Sequence, residues 1–82
     1  MADTLFLEDD DYAIWCFAAE DGKGTYEASA TFERKADFAA GKPLIHGVRH
    51  VIKRRFTSQK EAMSAAAQMA LLKVKRGEDL GL

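Results

Sequence analysis

Side-chain periodicity predicts an α+β fold in two layers, an antiparallel sheet of three strands packed on one C-terminal helix, with a fourth strand if Leu5, Phe6 and Leu7 form one. Three observations lead there. Residues 25–33 alternate between apolar and polar side chains. Residues 12–19 are rich in aromatic and apolar residues, and from Gln59 onward the apolar spacing becomes helical. The change from strand to helix falls within Lys53-Arg54-Arg55-Phe56-Thr57-Ser58-Gln59-Lys60-Glu61-Ala62.

Each element has its own justification. Leu5-Phe6-Leu7, followed by Glu8, Asp9, Asp10 and Asp11, reads as a strand fragment or docked arm entering an acidic turn, within an acidic N-terminal arm over residues 1–11. Residues 12–19 form a strand that is apolar on both sides, because Tyr12, Ile14, Cys16 and Ala18 point one way and Ala13, Trp15, Phe17 and Ala19 the other. Something must cover both faces. Asp21-Gly22-Lys23-Gly24 then supplies a hairpin turn in which glycine takes the positive φ that such turns require. In the strand over residues 25–33, Tyr26, Ala28, Ala30 and Phe32 face inward, and Thr25, Glu27, Ser29, Thr31 and Glu33 face water. Residues 34–43 break the pattern and read as a loop with Phe38 tucked against the core. A last strand spans residues 44–56, with Gly47 marking its start or a bulge.

The helix opens at Ser58, an N-cap with Glu61 three residues on, and runs over residues 59–76 without glycine or proline. Gly77 stops it after Lys73, Lys75 and Arg76, whose charges suit the negative end of the helix dipole. Met63, Ala66, Ala67, Ala70 and Val74 share one side, while Ala65, Met69 and Leu72 widen the apolar surface beyond a normal stripe. Residues 77–82 read as a mobile tail.

Composition bounds the function. A chain of 82 residues that is 48% hydrophobic and 30% charged makes one small folded domain with a thin core. Its single cysteine, Cys16, and the absence of a basic, apolar leader-like start point to a cytoplasmic protein, and no apolar run is long enough to cross a bilayer. The net charge of −1 hides a polarity, since residues 1–41 carry −7 and residues 42–82 carry +6. Compensation between the two halves is the simplest reading of that polarity.

Catalytic signatures are missing. His46 and His50 lie on one side of a strand about 13 Å apart, too far to share a metal ion. Cys16 sits in an apolar strand, where a thiol is inert. Gly41-Lys42-Pro43 lacks the hydroxyl residue and the upstream glycine of a phosphate-binding loop. Neither a cofactor, a metal nor a small-molecule substrate is therefore expected, and no enzyme. Two binding readings remain. In the first, the surplus apolar surface at Tyr12, Ile14 and Cys16 on the sheet and at Ala65, Met69 and Leu72 on the helix makes a homodimer or protein-docking interface. In the second, Arg49, Lys53, Arg54, Arg55 and Lys60, with Trp15 and Tyr26, bind nucleic acid by charge and stacking. Glu27 and Glu33 oppose the second reading, because they can pair with those bases across the strands.

Phe56-Thr57-Ser58-Gln59-Lys60-Glu61-Ala62, followed by Ala65-Ala66-Ala67, resembles the last strand and opening helix of the plant ethylene-response type of DNA-binding domain. The same stretch resembles the arm-binding domains of tyrosine integrases and the C-terminal helix of double-stranded-RNA-binding domains. The resemblance implies a three-stranded sheet with a packed helix, and nucleic-acid recognition.

Overall fold

The computed structural model describes residues 2–41 and 47–82. Four antiparallel strands, β1 (Ala2–Asp9), β2 (Tyr12–Glu20), β3 (Tyr26–Arg34) and β4 (Val48–Phe56), form one open sheet in the order β1-β2-β3-β4. Helix α2 (Gln59–Lys75) covers one face, and a five-residue helix α1 (Lys35–Ala39) lies between β3 and β4. The α+β architecture expected from the periodicity is present, with four strands.

The acidic arm is an edge strand. β1 pairs with β2 from Ala2↔Ala19 to Asp9↔Tyr12, so a two-residue link, Asp10-Asp11, joins them. Asp10 accepts a φ of 53°, in the left-handed region that aspartate tolerates better than most residues. This register puts Leu5 and Leu7 opposite Cys16 and Ile14, on the face beneath α2. The next hairpin closes through Asp21, whose amide donates to the Thr25 carbonyl while its carboxylate accepts from the Lys23 amide and the Thr25 hydroxyl. Gly22 and Gly24 there have φ of 83° and 77°, as the turn demands.

Between β3 and β4 the register slips. Glu27 stands opposite Arg55 but Ser29 opposite Val51, so β4 bulges across Ile52, Lys53 and Arg54. Leu44, Ile45 and His46, read from the sequence as the start of this strand, lie outside the described residues, and β4 begins at Val48.

Ser58 caps α2 as its sequence demands, its hydroxyl accepting from the Glu61 amide at 3.1 Å. At the other end Gly77, with φ of 66°, completes a Schellman motif. Its amide donates to the Val74 carbonyl and the Glu78 amide to the Lys73 carbonyl. The Glu78 carboxylate then sits 3.7 Å from the Lys73 ammonium and 3.8 Å from the Arg76 guanidinium.

Small residues dominate the core. Ala62, Ala66 and Ala70 form the fully buried line of α2 and meet a sheet face that includes Ala18, Ala28 and Ala30, so backbone can approach backbone. Bulk enters from Ile14, Phe32 and Phe56, and from the tail: Leu80 is only 3% exposed. The tail expected to be mobile is therefore packed, and its Leu80 carbonyl lies 3.1 Å from Nε2 of His50. The helix terminator turns the chain back over the sheet, where Leu80 fills the end of the core that the alanines leave thin.

Two stability outcomes follow. Leu80→Ala should lower the unfolding free energy by about 2–4 kcal/mol, because it opens a cavity where the core has least bulk. Ala66→Leu, which lifts α2 off the sheet, should cost about 1–3 kcal/mol. Urea titration followed by circular dichroism measures both.

Candidate protein interface

The structure divides the expected interface residues. Ile14 and Cys16 have no exposed surface and lie beneath α2, so the sheet face expected to be left over is the core itself. Tyr12, Ala65 and Met69 are half-buried and packed against that core. Leu72 is open to solvent at 45%. The error in the sequence reading was one of face. α2 takes the Ile14 side of β2, and the unclaimed apolar side is that of Trp15 and Phe17.

On that outer face α1 acts as a partial cover. Its Phe38 ring stacks on Phe6 with centroids 5.4 Å apart, Phe6 packs on Trp15 at 4.6 Å, and the three rings form one cluster. Phe38, expected to tuck against the core, instead packs on the outer face and keeps 37% exposure. Beneath the cluster the supposed wet face of β3 is dry in two places. Ser29 is 1% exposed and Glu33 fully buried, the latter accepting a 2.8 Å hydrogen bond from the Trp15 indole. Alternation on β3 alone could not reveal this. The signal was Trp15 on the same side of the neighbouring strand, whose indole N–H needs an acceptor.

The basic residues separate onto two faces. Arg49 and Arg55 point to the outer side, opposite Thr31 and Glu27, and Glu27 bridges them with contacts of 2.7 and 3.2 Å. Arg55 also lies 3.7 Å from Asp21. Two guanidinium groups thus meet two carboxylates, and this part of the sheet is locally neutral. Each pair is open to solvent, where screening leaves an ion pair little net stabilising effect. The Asp21 carboxyl is held below its usual range, first by the Thr25 hydroxyl and then by the Lys23 amide, with Arg55 adding to it.

Arg54 instead lies over the Phe56 ring, 4.7 Å from its centroid, and shares a groove with Lys60 beside the start of α2. Among the described residues Lys53 and Lys60 make no ion pair. Tyr26 packs toward the core while Trp15 faces the other way, so the two rings form no joint stacking surface. The charge-pairing reading made from the sequence holds for Glu27, which meets Arg49 and Arg55, while Glu33 is buried and accepts from the Trp15 indole.

His50 meets Phe32 edge-on at 5.1 Å, and because the Leu80 carbonyl can only accept, Nε2 carries the proton. His46 lies outside the described residues. Among the described residues no group of three or more histidine, cysteine or acidic side chains could hold a metal ion. Open grooves run along the edges of the helix and sheet. No helix among the described residues is long and apolar enough to cross a membrane. No known protein family, curated protein or solved structure matches the chain.

Solvent-facing apolar side chains are what remain. Among the described residues Leu5 at 40%, Val51 at 41%, Leu71 at 41% and Leu72 at 45% join Phe38 as the large apolar residues most open to water. Leu5 belongs to one edge strand and Val51 to the other, while Leu71 and Leu72 lie near the end of α2.

Cys16 provides a check on the burial pattern. Burial pushes its thiol up to about 11, and the thiolate is the reactive form. A thiol-disulfide reagent at mildly alkaline pH should leave Cys16 unmodified in the folded protein and label it at once in denaturant. Rapid labelling of the folded chain would place Cys16 at the surface.

Proposed function

We propose that this protein is a small, non-enzymatic, cytoplasmic binding module that associates with further copies of itself. The observation that carries this reading is the exposure of Leu5 and Val51 at the centres of opposite edge strands, in a domain whose Arg49 and Arg55 are already paired with Glu27. Apolar surface on an edge strand gains from being covered, and a small thin-cored domain has stability to gain by association. The polarity of charge along the chain supports attraction between copies once acidic and basic elements lie on different edges.

Nucleic-acid binding through Arg49, Lys53, Arg54, Arg55 and Lys60 is the second reading. Its support is the lack of ion pairs at Lys53 and Lys60 among the described residues. It is weakened by the split of these groups between two faces and by Glu27, which would repel phosphate beside Arg49 and Arg55.

Light scattering coupled to size exclusion should show the average mass rising with concentration across the micromolar range. A monomer mass throughout would remove the self-association reading. In parallel, gel shifts with single- and double-stranded DNA and RNA at low salt should show no complex. A shift that fades steeply with added salt would instead favour nucleic acid.

A further inference from the structure

We propose that copies join edge to edge, the acidic strand β1 of one copy pairing antiparallel with the basic strand β4 of the next. This rests on the self-association reading and names its surface. β1 and β4 are the two edges of the sheet, and an edge strand presents a row of backbone donors and acceptors for another strand. The edges differ in charge. β1 carries Asp3, Glu8 and Asp9 with no base, and β4 carries four bases with no acid, of which Lys53 and Arg54 add positive charge beyond the Arg49 and Arg55 groups that Glu27 and Asp21 balance. Joining β1 to β1 or β4 to β4 would bring like charges together, so unlike edges pair.

One register satisfies the side chains. Within a copy β1 and β4 run in opposite directions, so a copy set alongside meets β1 with an antiparallel β4. To keep both α2 helices on one side of the joined sheet, Leu5 and Leu7 must face residues of β4 on the His50 side. Placing Leu5 opposite Ile52 achieves this, and it also sets Phe6 opposite Val51, Leu7 opposite His50 and Glu8 opposite Arg49. The two exposed apolar edge residues, Leu5 and Val51, are then both covered, and Glu8 joins Glu27 at the Arg49 guanidinium. The groove beside Leu5, lined by Met63 and Ala67 of α2, lies next to the arriving Ile52. The bulge across Ile52, Lys53 and Arg54 limits the pairing to the half of β4 that starts at Val48. Such a joint is head-to-tail, so it builds chains or rings rather than a closed pair.

Charge reversal on the full-length protein tests it. Glu8→Arg and Arg49→Glu should each weaken association about fivefold, and the double variant should restore it, with circular dichroism and melting confirming that each is folded. Hydrogen exchange should show that concentration slows the amides of residues 5–8 and 48–52. Failure of the double variant to recover, or protection gained around Leu71 and Leu72 instead, overturns edge pairing while leaving self-association standing. A wild-type protein that stays monomeric overturns both.

Discussion

Contact between alanines governs this molecule. Ala62, Ala66 and Ala70 on the helix lie against a sheet face that includes Ala18, Ala28 and Ala30, within a buried cluster whose bulk comes from Ile14, Phe32, Phe56 and Leu80. Close approach excludes water from backbone as well as side chain, which lets a short chain make a dry interior from little apolar volume. The same closeness leaves the ends of the interface thin. Phe56 fills one, and the other is filled by Phe32 with the returning Leu80. A tail that would be dispensable on a bulkier core is thereby part of this one.

Because α2 is committed to one face, the character of the other follows. The outer face must handle Trp15, Phe17 and Phe6 without a second layer, and α1 with Phe38 covers only one end of it. Under that cover Glu33 is taken out of water and held by the Trp15 indole. Away from it, Glu27 stays in reach of solvent and balances Arg49 and Arg55. Two glutamates on the same side of one strand thus have opposite roles, decided by whether an aromatic cluster lies above them. The split also bears on function, since it leaves no broad basic surface on the sheet, while each edge strand keeps one exposed large apolar residue, Leu5 or Val51.

The legible parts of the sequence were those set by local rules. Serine before the helix, glycine after it, the Asp-Gly-Lys-Gly turn and the inward set Tyr26, Ala28, Ala30 and Phe32 each follow from backbone geometry or from period-two alternation. The strand over residues 12–19 shows the limit of those rules. Being apolar on both sides, it carries no information about which face the helix covers, so Ile14 and Cys16 were read as surface when they are core. β1 was legible only at Leu5-Leu7, because its charged ends lack the pattern and become strand only by pairing with β2.

The sequence by itself determined the class of fold, the helix with its caps, the central hairpin and the polarity of charge, all of which depend on residues near one another in the chain. Tertiary structure alone decided the burial of Glu33, the packing of Leu80, the sharing of Glu27 between two arginines and the placing of acid and base on opposite edges. Those depend on strand order and on which layer claims which face. Both are settled by contacts between residues far apart in sequence, where periodicity is silent.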